Sequence, residues 1–539
     1  MSKRSLAIII VAVLLVVSGV CGYHYVMLSG RQKSTELTTL RIGTTMPIRT
    51  DNMFADYYFG IVTSLSHDRL MRLDAKGRVI PELAENWEVK EEGKVWILHL
   101  VKNATWHDGK PLTAEDVAFS INYLLEKVPV YKFHLRLVER AEVVDDYTVK
   151  ISLKEPWARF TVNLLVVRVI PKHVWEKVDE PLKYHGEDVN IGSGPYVYKS
   201  FDEATGTIVF EANQNYRLGK PKVDKVTFKL YKSTEAMIMA LKRGDIDTVY
   251  HYARGVEPLY VPVLIEDPNI DFMIKPNLGV DNNLWFNTKL YPYNLTEFRQ
   301  AVSYALNYRD YVNSIMAGYA EVPNAGFVPK GWSYFKETRK LETNLEKACA
   351  MLDAVGLRDL NGDGWRDFSN GTTLTIPILV RTDLPEAGRL AELVKRDLEN
   401  VGLKVDLIPV DPPTFRQRID INKDFHAFIS RTTMWGMMMW AGYGTGYVDA
   451  RNIGWSLVDD KEFQTIVDEM LKTTSEEEYR NLAHKLQDLY AEKLYLIPLY
   501  WGKMIQPYRS DRISGLHYDP MYGILTKETF YAIEVKSKR

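Results

Sequence analysis

Residues Pro81–Asn122 combine two strand patterns, a tight reversal and a helix start, and this order restricts the local fold more than any other segment. Trp87 and Val89 alternate along the first strand, and Glu91–Lys94 reverses the chain. The return strand places three large apolar residues on one face: Trp96, Leu98 and Leu100. The pattern predicts a β-hairpin with one buried face.

A turn and a capped helix follow this hairpin. Asp108–Pro111 (DGKP) is typical of a turn, and Thr113 is placed to cap a helix with Asp116 three residues later. The apolar residues Val117, Phe119 and Ile121 continue the helix. We therefore predict a helix that starts just after Thr113.

The residue identities in this segment are more specific than its architecture. The patterns W-x-V-x-E-x-G-K-x-W and W-H-D-G-K-P-L-T-A-E-D-V-x-F-S resemble the signature of the family 5 solute-binding proteins, the extracytoplasmic receptors of peptide- and nickel-type ABC importers. Two further stretches resemble landmarks of the same family, IPKHVW at Ile170–Trp175 and RQAVSYALNYRDYV after Thr296. The resemblance extends from Leu40 to the C-terminus.

This resemblance implies an α/β fold of the two-lobed, periplasmic-binding-protein-like type II, built as three domains from discontinuous segments. The expected boundaries are residues 40–60, 168–270 and 503–539 for the core of lobe I, 61–167 for an extra domain of lobe I, and 271–502 for lobe II. The lobes are expected to close over a solute at a hinge. It also implies a monomer that works with an ABC permease and ATPase and needs no cofactor.

Length, charge and cysteine content agree with a large extracytoplasmic protein. A chain of 539 residues is too long for a single core, so two or three domains are expected. The formal net charge is −2 and no long basic block is present, which gives no support for nucleic-acid binding. The only cysteines, Cys21 and Cys349, exclude a disulfide framework.

The first thirty residues indicate export or membrane attachment. Lys3 and Arg4 precede an apolar run from Leu6 to about Met27, long enough for a membrane-spanning helix. The alternatives are a signal peptide cleaved near Gly19 and a lipid anchor at Cys21, although the residues before that cysteine match a lipobox poorly.

An uncleaved anchor is the favoured interpretation, because the apolar character continues to the end of the run. It assigns residues 1–29 to a transmembrane anchor or signal segment and 30–39 to a polar linker. All three interpretations place the globular part at the outer face of the cytoplasmic membrane, anchored or secreted.

Further along the chain, hydrophobic periodicity predicts a parallel α/β layer. Leu374–Val380 and Leu403–Val410 are strand-like, and Glu386–Val401 between them is helical. Ser233–Arg243 is predicted as a helix that has Ser233 or Thr234 as its cap and Gly244 at its end. The apolar run Tyr495–Tyr500 is expected to cross back to the first lobe.

No set of residues predicts catalysis. His107 and Asp108 are adjacent in a turn, where neighbouring side chains point apart, so an architectural role is expected. Gly192–Gly194 (GSG) is a turn and lacks the G-x-S-x-G pattern of a nucleophile elbow. Neither a P-loop nor an H-E-x-x-H zinc motif occurs. The protein is therefore not expected to be an enzyme.

One loop has the spacing of a calcium site. Oxygen-bearing side chains occupy positions 1, 3, 5 and 9 of an EF-hand-type pattern: Asp359, Asn361, Asp363 and Asp367. The bidentate Glu of position 12 is replaced by Asn370. A structural Ca²⁺ and an Asx-rich turn whose side chains bond their own backbone both remain open.

The segment Trp435–Arg451 is the richest candidate for solute contact. Its alternating glycines argue against a regular helix, and its aromatic residues either pack in a core or line a pocket. The candidate ligand-binding residues are Trp435, Trp440, Tyr443, Tyr447 and Asp449. The resemblance implies that Asp449 pairs with the amino terminus of a peptide.

The favoured function is an extracytoplasmic substrate-binding protein that captures peptides or a related organic solute between two lobes and delivers it to an ABC permease. A secreted or membrane-anchored hydrolase is the rival, but it needs a nucleophile–base or paired-carboxylate set. A ligand sensor or chaperone on the same fold is the third alternative. Dipeptides, longer peptides, oligosaccharides and metal chelates all remain open as solutes.

Overall fold

The structure is a computed structural model that describes residues 37–74, 78–252, 255–432, 455–519 and 522–536. The chain divides into two compact units, Met1–Thr38 and Thr39–Arg539. The helices and strands of the described residues belong to the second unit, which has a mixed α/β fold. This division does not separate the three predicted domains, so their boundaries stay a prediction.

Strands and helices are interspersed along the whole second unit. In chain order, the strands of the described residues are β1 Thr39–Thr44, β2 Met71–Leu73, β3 Val79–Pro81, β4 Ala84–Lys90, β5 Val95–Leu100, β6 Val138–Asp145, β7 Thr148–Leu153, β8 Tyr196–Asp202, β9 Thr207–Ala212, β10 Lys225–Leu230, β11 Thr248–Val249, β12 Ile270–Pro276, β13 Val280–Phe286, β14 Ala320–Glu321, β15 Thr375–Arg381, β16 Lys404–Val410, β17 Ala427–Thr432, β18 Leu496–Arg509, β19 Ile513–Ser514 and β20 Glu534–Val535. The α-helices are α1 Tyr57–Val62, α2 Ala114–Lys127, α3 Pro129–His134, α4 Phe160–Leu164, α5 Lys172–Trp175, α6 Thr234–Arg243, α7 Val261–Ile265, α8 Thr296–Ala305, α9 Tyr308–Asp310, α10 Leu345–Ala354, α11 Pro385–Glu399, α12 Pro412–Arg416, α13 Lys461–Lys472, α14 Glu476–Lys493 and α15 Lys527–Ala532.

The predicted hairpin is confirmed as β4 and β5, which join β7 and β6 in a four-stranded antiparallel sheet. Trp96, Leu98 and Leu100 are buried on one face, as their alternation predicts. Gly93 turns the chain with φ 97°, a conformation that favours glycine. The capped helix is confirmed too, because the Asp116 carboxylate accepts the backbone N–H of Thr113 at 3.0 Å at the start of α2.

A large mixed sheet forms the rest of the framework. Among the described residues its order is β16-β15-β17-β13-β18-β11-β1-β10-β9-β8, and β12 and β14 pair with β18 as well. β15 is parallel to β16 and to β17, which confirms the predicted parallel layer. We call β1 and β8–β12 the first half-sheet, and β13 and β15–β17 the second half-sheet.

Helices cover both half-sheets and bury apolar residues against them. Met237, Ile238 and Leu241 of α6 are buried in a cluster with Ile246 and Ile505. Ser233 caps this helix by accepting the backbone N–H of Ala236, and Gly244 ends it with φ 74°, as the sequence predicts. The second half-sheet has its own apolar cluster, which contains residues of α8, α10 and α11.

Among the helices of the described residues, none is both long and apolar enough to cross a membrane. The predicted anchor at residues 1–29 lies outside the described residues, as does Cys21. Cys349, on α10, is a free thiol.

Candidate functional site

Strand β18 is long enough to pair with strands of both half-sheets. Its N-terminal part pairs with β13 of the second half-sheet, with Leu284 opposite Ile497. Its C-terminal part pairs with β12 from Lys503 to Arg509 and with β11 at Tyr508. The turn between β12 and β13 also passes from one half-sheet to the other. We call these two connections, residues 276–282 and 500–503, the bridge.

The carboxylate of Asp281 holds the two connections of the bridge together. Its Oδ1 accepts a hydrogen bond from Asn277 Nδ2 at 2.6 Å, and its Oδ2 accepts one from the backbone N–H of Gly502 at 3.0 Å. The backbone N–H of Asn277 in turn donates to the carbonyl of Gly502 at 3.1 Å. A Cβ on Gly502 would lie 2.0 Å from the Asp281 carboxylate, so only glycine fits this contact.

The bridge disfavours the charged form of this carboxylate. Burial raises the pKa of Asp281 to about 6, although Asn277, Arg431 and the Gly502 N–H oppose the shift. The charge of Glu386 adds to it. A part of the Asp281 surface nevertheless stays accessible to solvent.

Two tyrosines lie close to this acid. Tyr500 is buried and its hydroxyl accepts a hydrogen bond from Asn282 Nδ2 at 2.8 Å. Burial raises its pKa well above the usual value, and the charge of Asp281 raises it further. The pKa of Tyr518 is raised by burial and then by the charges of Asp519 and Asp281. The C-terminal segment therefore also approaches the bridge.

The described residues that flank the predicted solute-binding segment in the chain are Thr432 and Trp455. Thr432, the last residue of β17, pairs with Val280 at the start of β13. At the far end of the segment, the Trp455 ring packs edge-on against Trp285 at 5.2 Å and its Nε1 donates to Asp420 at 2.7 Å. The predicted contact residues between these points lie outside the described residues and stay predictions: Trp435, Trp440, Tyr443, Tyr447 and Asp449.

The structure also contains ion pairs between segments that are distant from each other in the sequence. Glu257, between β11 and β12, pairs with Arg389 of α11 at 2.8 Å. Arg159, next to the four-stranded sheet, pairs with Glu476 of α14 at 3.1 Å and lies over the ring of Tyr479 at 3.8 Å. Both ion pairs join segments that lie more than one hundred residues apart in the chain.

The side-chain oxygens of the predicted calcium loop accept hydrogen bonds from the backbone of the same loop. Asp359 accepts the backbone N–H groups of Gly362 and Gly364 at 2.7 and 2.9 Å. Asn361 accepts the N–H of Asp363 at 2.8 Å. These contacts are those of an Asx-rich turn. They hold the pKa of Asp359 below its usual value, the Gly364 N–H contributing most.

Asp367 is the buried member of this loop. Its Oδ2 accepts the N–H of Leu360 at 2.9 Å, whereas its Oδ1 has no hydrogen-bond partner within the described part of the chain. Over those same residues, no group of three or more His, Cys, Asp or Glu side chains is arranged to hold a metal. A calcium ion at this loop stays a prediction.

His107 has the architectural contacts that its place in a turn predicts. It accepts the backbone N–H of Gly192 at Nδ1 (3.2 Å), and its Nε2 bonds the carbonyl of Gly194 at 3.0 Å. Asp108 points away to His173, at 2.8 Å. A Cβ on Gly192 would lie 1.8 Å from the Ser66 carbonyl, which explains the glycine in this turn.

Sequence reasoning missed the bridge residues Asp281, Asn277 and Tyr500. The one available signal was the polar run Asp281–Asn283 at the start of an otherwise apolar strand. Such a run does not indicate which strand it meets, and its partner here is more than two hundred residues away.

The fold and the bridge define a class: a mixed α/β protein in which two connections cross between parts of one large sheet, the fold of periplasmic binding proteins. A family model for the bacterial extracellular solute-binding proteins, family 5 (middle region), matches residues 78–454. The chain belongs to this family and is a solute-binding protein. The resemblance seen in the sequence is thereby confirmed.

Individual relatives agree with this assignment. The chain is 25% identical over 496 residues to di/tripeptide-binding protein 1 of Pseudomonas aeruginosa, covering 85% of this chain and 88% of the relative. It superposes on a periplasmic oligopeptide-binding protein of Thermotoga maritima with a TM-score of 0.81 at 22% identity, covering 93% of this chain and 100% of the other. It also superposes on NikZ of Campylobacter jejuni in complex with Ni(L-His), with a TM-score of 0.75 at 21% identity, covering 92% and 99%.

Proposed function

We propose that the protein captures a peptide, or an organic solute of similar chemistry, outside the cytoplasmic membrane and delivers it unchanged to the permease and ATPase of an ABC importer. The family match carries this proposal, and the di/tripeptide-binding relative favours peptides among the solutes that the family carries. The same match favours solute binding over the hydrolase and the sensor or chaperone alternatives.

The bridge supplies the physical basis for capture. Two halves joined by a pair of connections can rotate about them with small backbone changes, so a solute held between the halves is enclosed when they meet. The pair Glu257–Arg389 and the contacts of Arg159 would then form on closing. We propose a lobe I core of residues 40–60, 168–270 and 503–539, an extra domain of 61–167, and a lobe II of 271–502 whose first strand, β12, pairs back onto the first half-sheet.

We propose solute contacts from the segment that starts after Thr432, beside the bridge. Aromatic side chains would hold the solute body and a carboxylate would hold its ammonium group. The residues are Trp435, Trp440, Tyr443, Tyr447 and Asp449. Replacing Asp449 by Ala is expected to weaken peptide binding more than tenfold, or about 1.4 kcal/mol, whereas Asp459→Ala, at an exposed position, should leave it unchanged.

Solute capture can be tested on the purified protein by native mass spectrometry of co-purified ligand. Calorimetric titration with di- and tripeptides, oligosaccharides and nickel–histidine then ranks the solutes. We expect a peptide to bind with micromolar or tighter affinity and to be recovered intact. Recovery of a hydrolysed product would contradict the proposal, and so would uptake that persists at the wild-type rate when the gene is deleted.

Membrane attachment and oligomeric state complete the proposal. We expect residues 1–29 to anchor a monomer to the outer face of the cytoplasmic membrane, so that the full chain sediments with membranes and resists carbonate extraction. A chain that starts at residue 37 serves as the control and should be released.

No cofactor is proposed for solute binding, but a structural Ca²⁺ is proposed at the Asp359 loop, where Asp367 has a buried oxygen without a partner among the described residues. Calcium should then raise the unfolding temperature of the wild type and not of Asp359→Ala. Equal melting with calcium and with EDTA would exclude the ion.

A further inference from the structure

A buried guanidinium lies close to the start of β2. Arg69 is 7% exposed, and its Nε and Nη2 atoms have no hydrogen-bond partner among the described residues. The guanidinium lies over the ring of Tyr522, 4.0 Å from its centroid. The Oγ of Ser64 is likewise buried without a partner in the described part of the chain. Burying such donors without hydrogen-bond partners costs several kcal/mol, so we expect a bound group that accepts hydrogen bonds from them.

These donors line a common cavity of about 40 Å³. One water molecule needs roughly 10–15 Å³ of such space, so the cavity accommodates a monatomic ion and excludes a large organic one. Its wall combines Ser64, Arg69 and Tyr522 with the apolar residues Leu165 and Phe530. The cavity is therefore small, and its wall combines hydrogen-bond donors, carboxylates and hydrocarbon.

The carboxylates on the cavity wall have donors of their own. Glu82 pairs with Lys527, which also pairs with Asp68 at 2.8 Å. Burial raises the pKa of Glu82, and the charge of Lys527 opposes this shift. The remaining pairs are Glu528 with Arg72, and Asp519 with the backbone N–H of Tyr522 at 2.7 Å.

A second arginine adds positive charge at this place. Arg168 and Arg69 form an isolated antiparallel backbone pair outside the named strands. The Arg168 guanidinium donates to Tyr131 Oη at 3.0 Å. Both charges act on His67, whose pKa lies well below the usual value because of its burial, and then because of Arg168 and, to a smaller degree, Arg69. The carboxylates of the wall are thus paired, and the guanidinium of Arg69 keeps two N–H donors that have no acceptor within the described residues.

We propose that Arg69 and Ser64 hold a small inorganic anion of the chloride type in this cavity. The ion would accept the N–H groups of Arg69 and the hydroxyl of Ser64 and would neutralise a buried charge. Because the cavity is lined by residues of β2 and of α15, which are far apart in sequence, the ion would tie the C-terminal helix to the β2–β3 hairpin.

The test uses thermal unfolding of the full-length protein in sodium chloride or sodium gluconate at equal ionic strength. Chloride is expected to raise the unfolding temperature in a saturable manner, and gluconate, too large for the cavity, is not. Once chloride exceeds its dissociation constant, each tenfold increase should add about 1.4 kcal/mol to the apparent unfolding free energy. Identical curves in the two salts would overturn the proposal.

Three variants assign the effect to the cavity. Arg69→Gln should abolish the difference between the two salts, and Ser64→Ala should reduce it while leaving the fold intact, because it removes a hydroxyl that has no partner among the described residues. Arg243→Gln, at an exposed arginine paired with Asp245, should retain the full difference. An unchanged chloride response in both cavity variants would refute the assignment.

Crystals of the wild-type protein grown in sodium bromide provide a test that does not depend on how the variants fold. An anomalous bromide peak within hydrogen-bond distance of Arg69 Nε or Nη2 is expected. Density that fits water alone, with no anomalous signal, would show that the cavity is a hydration site and would overturn the proposal.

Discussion

Replacing Asp281 by Asn should change how the stability of the protein depends on pH. The carboxylate ionises in the folded protein with a pKa of about 6, against a reference value of 3.8. Each pKa unit corresponds to 1.36 kcal/mol, so the folded state disfavours the charged form by roughly 3 kcal/mol. Because a part of the side chain is accessible to solvent, this figure is an upper limit.

The sign of the effect follows from proton linkage. Below about pH 4 the acid is neutral in both the folded and the unfolded state and contributes no penalty. Between about pH 4 and pH 6 the unfolded state ionises first, so the unfolding free energy of the wild type falls as the pH rises. Above pH 6 the full penalty is present. The D281N variant lacks this titration. The difference in unfolding free energy between D281N and the wild type should therefore shift in favour of the variant by up to roughly 3 kcal/mol between pH 4 and pH 7.

The substitution also changes the unfolding free energy by an amount that does not depend on pH. Measurements over a pH series distinguish this amount from the effect of the titration. The amide of the variant retains one acceptor for the N–H groups of Asn277 and Gly502 and loses the other, at a cost of about 1 kcal/mol at every pH. Urea unfolding followed by tryptophan fluorescence from pH 4 to pH 7.5 measures both quantities. Asp271→Asn, on the exposed side of β12, controls for the loss of one negative charge. Parallel curves for the wild type and D281N would refute the reasoning.

Three further substitutions test other contacts. Arg299→Met should cost at least 3 kcal/mol in urea unfolding, because the buried guanidinium satisfies carbonyls at the end of α14 that the variant leaves unpaired; a loss below 1 kcal/mol would contradict this. Asp116→Ala should cost about 2 kcal/mol, since the carboxylate accepts the N–H groups of Thr113 and Lys172, and an unchanged urea midpoint would exclude that role. Arg389→Gln breaks a partly exposed ion pair with Glu257, so the unfolding free energy should change by less than 1 kcal/mol. Solute dissociation should accelerate several-fold in stopped-flow measurements. An unaltered dissociation rate would show that this ion pair does not stabilise the closed form.

Local sequence patterns predicted several of the individual elements. The capping residues Thr113 and Ser233 marked the starts of two helices, and the alternation in Pro81–Asn122 marked the hairpin. These predictions succeed because the stabilising contacts lie within a few residues of each other along the chain. The strand–helix–strand order of residues 374–410 likewise predicted a parallel layer, since such a connection is what parallel neighbours require.

The bridge shows where local patterns fail. The sequence predicted that the apolar run Tyr495–Tyr500 crosses back to the first lobe, and in the structure this run belongs to a longer strand, β18, which continues to Arg509. The apolar run ends near Gly502 and Lys503, where the strand leaves one half-sheet and enters the other, so hydrophobic periodicity no longer follows a single buried face.

The amino-acid sequence by itself indicated the family, the mixed α/β class and the positions of several helices and strands. Only the tertiary structure decided that Asp281 joins the two connections of the bridge and that Arg69 is buried beside a small cavity. Both roles depend on residues hundreds of positions away. Whether a charged side chain is solvated or buried depends on those distant neighbours, and no local pattern of residues encodes them.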